Sequence, residues 1–183
     1  MIMMNFIHLH VGSRRLLILF MLSLWFTRTG LAQQDSNDNM KTLTSSYLQA
    51  VWAADWEKMG SYLSEESIYQ DFTMQYFGGD AIDLVGRDAI VAFYQEANDG
   101  SGVLEVRNDI VYHFVTGNGV VYELDTTVRA EGSYWEAPGI ELTATFRVVS
   151  FVQMKEGKVV RHIDFSDYAE AMSQIKAQVE KTN

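Results

Sequence analysis

The chain has 183 residues, no cysteine, one proline, 13% aromatic residues, and 24 acidic against 14 basic side chains. The missing thiols exclude disulfides and thiolate metal sites. A net charge of −10 repels nucleic acid and anionic lipid, which are held by clustered Lys and Arg.

The first 32 residues differ in kind from the rest. Arg14 and Arg15 form a basic patch, Leu16 to Phe26 is an apolar run broken only by Ser23, and Gly30-Leu31-Ala32 ends in small residues. That run is about half of the roughly 20 residues a membrane span needs. Residues 1–32 therefore read as a secretory signal cleaved near Ala32, and no cysteine stands near the cut to carry a lipid anchor. The mature chain keeps 11 basic and all 24 acidic residues, a net charge of −13. It is expected to be exported, periplasmic or secreted, with no stable membrane association after cleavage.

Residues 33–39 are polar and read as a flexible lead, and 40–183 is long enough for one domain with a real core. From Met40 to Trp56, Leu43, Tyr47, Leu48, Val51 and Trp52 make a helical stripe. A second helix follows over about Asp55 to Leu63, then a strand at Ser67–Phe72 and a loop around Gly78-Gly79. The segment Met74 to Gly79 suits a lid or pocket mouth. Gly86-Arg87-Asp88 leads into a third helix, Ala89 to Ala97, with Ile90, Phe93 and Tyr94 inward. From Val103 the period becomes two. Strands at 103–115, 120–130, 140–154 and 159–165 are joined by turns at Thr116–Gly119 and Lys155–Lys158. Ser166 or Asp167 caps a closing helix that runs towards Gln178. This order predicts an α+β fold: a curved antiparallel sheet of four to six strands, with helices on one face.

Three stretches carry a resemblance: Tyr47-Leu48-x-Ala50-Val51 with Asp55-Trp56, the helix entry Gly86-Arg87-Asp88-Ala89-Ile90, and the end from Gly157 to Tyr168. The chain resembles the SnoaL-like branch of the nuclear transport factor 2-like superfamily over about Met40 to Ile175. The resemblance implies a cone with an apolar pocket that binds or transforms a small hydrophobic molecule, and a homodimer formed through the sheet. Isomerases, dehydratases, cyclases, epoxide hydrolases and non-catalytic binders share the fold, so the reaction has to be argued from the site.

Alternation puts Val160, His162 and Asp164 on one face of the last strand. The resemblance implies that Asp164 points into the pocket as general acid or base, and an apolar pocket would raise its pKa. The alternative is a structural corner at the start of the last helix. His162, on the same face, is the second catalytic candidate. Tyr69 and Asp71 share a face of the first strand and, with Tyr94, Tyr122 and Arg147, are the candidate substrate-binding residues. The epoxide hydrolases of the family use Tyr-x-Asn there and Arg-x-Asp on a middle strand. This chain has Tyr69-x-Asp71 and Glu123-Leu124-Asp125, which speaks against that chemistry unless Arg147 substitutes. No metal or other cofactor is expected, since the histidines and carboxylates show no ligand spacing on one element.

The two middle strands leave one choice open. Each has an apolar line (Val120, Tyr122, Leu124; Leu142, Ala144, Phe146) and a polar one (Glu123, Asp125; Thr143, Thr145, Arg147). Either the apolar line lies under the helices and the polar line in water, or the polar line faces the pocket and the apolar line a second subunit.

Overall fold

The computed structural model describes Gln34 and residues 36–181, so the expected leader and the cleavage expected near Ala32 lie outside the described residues. The first helix, α1 (36–52), starts ahead of the apolar stripe. It ends where Ala54 takes φ +52°, and Asp55 then caps α2 (Trp56–Ser61) by accepting from Lys58 N–H at 3.1 Å. Strand β1 (Ile68–Asp71) runs into a 3-10 turn, Phe72–Phe77, in the segment expected to be a lid loop. The Asp71 carboxylate caps that turn, and Gly78 ends it at φ +82°, which L side chains avoid. A short strand that sequence reasoning left as loop, β2 (Ile82–Val85), precedes α3 (Arg87–Gly100).

Strands β3 (Val103–Val115), β4 (Gly119–Glu131), β5 (Glu141–Lys155) and β6 (Lys158–Ser166) follow, and α4 (Tyr168–Val179) closes the domain. All six strands form one open sheet in the order β2-β1-β6-β5-β4-β3. Every pair is antiparallel except β1 with β6. The sheet is therefore mixed, and that one parallel pair brings Tyr69 beside His162 and Asp71 beside Asp164.

The core settles the choice between faces. Tyr47 and Leu48 of α1, Met59 of α2 and Ile90 of α3 pack with Tyr69, Val120, Tyr122, Leu124 and Val152 of the sheet. The apolar line is thus buried under the helices, each large apolar side chain contributing about 1.5–3 kcal/mol. The polar line lies on the outer face. There Arg147 contacts Glu123 and Asp125, and Arg129 contacts Glu105 and Glu141, all partly exposed.

One expected face changes at the start of β6. A register shift between Gln153 and Met154 leaves Val160 out of the pairing, so Val159 is buried and Val160 exposed. His162 and Asp164, beyond the shift, keep the inward face with Val159. A bulge inserts one unpaired residue and inverts the alternation on one side of it.

Candidate functional site

One row of residues crosses the inner face of all six strands: Ile82, Asp71, Asp164, Ser150, Tyr122 and His113, each in register with the next. The row beside it reads Leu84, Tyr69, His162, Val152, Val120 and Val115. Polar groups thus concentrate where β1, β6 and β5 meet. Apolar residues flank them, and helices cover them.

Asp164 is the hub. Its Oδ1 is 3.0 Å from His162 Nε2 and accepts from the Ser150 hydroxyl, and its Oδ2 accepts from Tyr69 O–H at 3.3 Å. The other ring nitrogen of His162, Nδ1, is 3.1 Å from Tyr47 O–H of α1. Tyr47, Tyr69, Tyr94, Phe93 and His162 form a continuous set of ring contacts, with Tyr69 to Tyr94 at 5.1 Å and Tyr69 to His162 at 5.2 Å between centroids. His162 is 2% exposed, whereas the Asp164 side chain keeps 15% of its surface. Of the pair, Asp164 is the more exposed.

The electrostatics differ from the expectation of a raised carboxyl pKa. Burial is the largest single influence on Asp164 and pushes it up. The positive charge of His162 and hydrogen bonds from His162, Ser150 and Tyr69 together outweigh it and hold the carboxyl below its ordinary value. An apolar pocket without donors would have raised it; this one has three. The phenols of Tyr47, Tyr69 and Tyr94 move the other way. Burial first, then nearby Asp164 for Tyr47 and Tyr69 and neighbouring Tyr69 for Tyr94, hold them above the usual tyrosine range. They stay protonated and neutral, and Tyr69 is the donor to Asp164. The Tyr94 O–H is buried and makes no hydrogen bond of acceptable geometry. Its neighbour is the Tyr69 hydroxyl, which in turn donates to Asp164.

The other candidates are bonded elsewhere. Asp71 is 1% exposed and fully engaged, capping the 3-10 turn through Thr73 and Met74 N–H and accepting from Tyr168 O–H at 2.8 Å. Its geometry is that of a corner joining β1 to α4. The Tyr122 hydroxyl is tied to α1 through Thr44 at 2.7 Å and Ser45 at 3.1 Å. Arg147 lies on the opposite face of the sheet with Glu123 and Asp125, because odd-numbered residues of β5 point outward. It does not reach the Asp164 cluster, so the substitution considered for an epoxide-binding arginine does not occur. Ser150 and the role of Tyr47 were missed from sequence. A serine between Val148 and Val152 on an otherwise apolar line was the available signal. An open groove of about 570 Å³ between α2 and α3, lined by Trp56, Gly60, Arg87 and Val91, contains none of the polar cluster. Only Trp56 links them, lying against Tyr94 at 6.4 Å.

A six-stranded mixed sheet covered by helices is the architecture of the cone-shaped α+β domains. Residues 45–162 match the SnoaL-like domain, and the chain belongs to that family. Among solved structures it is similar to a protein of Shewanella denitrificans OS-217 assigned as a SnoaL-like polyketide cyclase, at 23% identity and TM-score 0.66, covering 76% of this chain and 98% of the other. It is also similar to an LEH-like epoxide hydrolase of M. tuberculosis, at 13% identity and TM-score 0.59, covering 78% and 92%. A third is a protein of Kribbella flavida DSM 17836 assigned as a ketosteroid isomerase, at 18% identity and TM-score 0.52, covering 71% and 78%. At these identities the likeness is one of fold. No curated protein matches the chain by sequence.

Proposed function

We propose that the chain is an exported SnoaL-like domain that binds a small hydrophobic molecule on the inner face of its sheet and acts on it by cofactor-free acid–base chemistry. The observation that carries this reading is the Asp164 cluster, a carboxylate that keeps some exposed surface among aromatic rings, beside the buried Tyr94 O–H. Asp164 is the proton shuttle and His162 its partner. Tyr69 and Tyr94 are donors to an oxygen on the bound molecule, where developing negative charge would be stabilised. Asp71, Tyr122 and Arg147 are assigned structural roles. Export rests on the leader, with cleavage near Ala32.

A second reading, a non-catalytic binding or assembly module that dimerises through the sheet, is favoured by the outer face. One of its rows reads Phe114, Val121, Phe151 and Ile163 across four strands. Tyr112, Phe114 and Phe165 are exposed there. An uncovered apolar row of this length is a surface for a second copy.

Thermal unfolding with a panel of small cyclic ketones and phenols tests the first reading. A ligand at a hundred times its Kd adds about 2.7 kcal/mol, several degrees for a domain of this size. At least one compound is expected to raise the midpoint of the parent and to leave that of Asp164→Asn unmoved. If none moves the parent, the assembly module replaces the pocket. If the shift survives the substitution, Asp164 is not a ligand contact.

A further inference from the structure

β5 pairs with β4 from Glu141 to Gln153, but with β6 only from Val148 onward. The residues before Val148 therefore present one edge with no strand beside it. That edge is occupied by α4. Asp167 N–H donates to Arg147 O at 2.9 Å. The Gln174 amide bonds both backbone groups of Thr145, accepting from its N–H at 2.8 Å and donating to its C=O at 2.7 Å. Gln178 does the same at Thr143, at 3.1 and 2.6 Å. A primary amide carries the same donor and acceptor as a peptide unit, so each glutamine takes the part of one residue of a neighbouring strand. The spacings match. Strand residues two apart are separated by about 6.6 Å and helix residues four apart by about 6 Å. The second hydrogens of the amides are also used, Gln174 donating to Glu170 Oε1 at 2.7 Å and Gln178 to Gln174 O at 2.9 Å. Both side chains are thereby fixed in the orientation the edge requires. At its start α4 is also held by Tyr168, whose O–H donates to Asp71 and whose ring meets Phe77 and Phe146; beyond it Ala171 is the one buried residue of the helix.

Unpaired strand edges recruit other strands, and proteins keep them covered. We propose that α4 is an edge guard: Gln174 and Gln178 stand in for a strand on β5, and without them residues 143–147 pair with the same edge of a second copy of this chain. The sheet face discussed above plays no part in this pairing, so the inference stands whichever reading of the pocket holds.

The test is the double variant Gln174→Ala/Gln178→Ala, with the exposed Lys176→Ala as control. Alanine has the highest helix propensity, so α4 itself is preserved. Two readouts are followed: amide hydrogen exchange at Thr143 and Thr145, and mass by sedimentation over a hundredfold range of concentration. The expected result is at least tenfold faster exchange at both amides in dilute protein, and a mass that climbs with concentration beyond that of parent and control. Unchanged exchange would overturn the clamp. Faster exchange with the parent's mass at every concentration would overturn the guard. If the double variant does not fold, Gln178→Ala alone is measured, with the effect expected at Thr143 and the same two overturning results.

Discussion

Asp164 shows how donors decide what burial alone would not. Its carboxyl is held below the ordinary value, so the stability it contributes is present at neutral pH and lost as the pH falls below about 4, through its folded value. We expect the acid limb of the stability profile to be shallower in Asp164→Asn than in the parent, as read by urea midpoints between about pH 2 and 6. The tyrosines give the opposite limb. Tyr47, Tyr69 and Tyr94 are held above the usual tyrosine range, so their contribution is complete below about pH 10 and falls as unfolded phenols ionise above it. Tyr47→Phe is expected to flatten the alkaline limb, followed by the same midpoints between about pH 9 and 11. Tyr94 separates stability from function. Its O–H meets the Tyr69 hydroxyl without a well-formed hydrogen bond, so Tyr94→Phe is expected to change stability by about 1 kcal/mol or less in denaturant unfolding. Under the proposed role it would also abolish the ligand-induced shift. A loss of more than about 1 kcal/mol would mean that the hydroxyl is bonded after all.

At the scale of elements, the glycines of the connections divide sharply. A Cβ on Gly132 would lie 2.2 Å from Ala137 O and 2.8 Å from Ile140 O, where the β4–β5 connection folds back on itself. One on Gly79 would meet nothing within 4 Å. Gly132→Ala is expected to cost about 1–3 kcal/mol or more, because backbone has to move, and Gly79→Ala to stay within about 0.5 kcal/mol. Urea midpoints of the two variants check the contrast. The same elements show what sequence could reveal. The long period-two strands, the break at Ala54-Asp55 and the Asp167 cap were legible because each has a local cause. β2 was not: its four residues include only one charge and lie between glycines, and pairing with β1 rather than propensity makes them a strand. The β5–β6 bulge was equally hidden, since an extra residue leaves no mark in a hydrophobic pattern until the register is known. In the site, Asp164, His162 and Tyr69 share a face that alternation foretold for two of them. Arg147 could be assigned to the outer face only once the buried side of β5 was known.

For the whole molecule, the two faces of the sheet have different work. The inner face holds the core and the Asp164 cluster. The outer face divides along its strands into an aromatic end (Phe114, Phe151, Phe165) and a charged end where Arg129 and Arg147 are each held between two acids. If the aromatic end joins two copies, Phe114→Asp is expected to halve the mass in sedimentation while leaving the unfolding midpoint of the subunit within about 0.5 kcal/mol, since Phe114 is exposed. A parent already at the mass of one chain would remove that reading. The parallel pairing of β1 with β6 has a consequence for how the molecule is made. Tyr69 and Asp164 come from opposite ends of the domain, and the strand carrying Asp164 is the last of the six in the chain. Contacts of such long sequence separation form late and slowly. While the chain is emerging it therefore has no assembled carboxylate cluster. Whatever that cluster does begins only when the final strand docks.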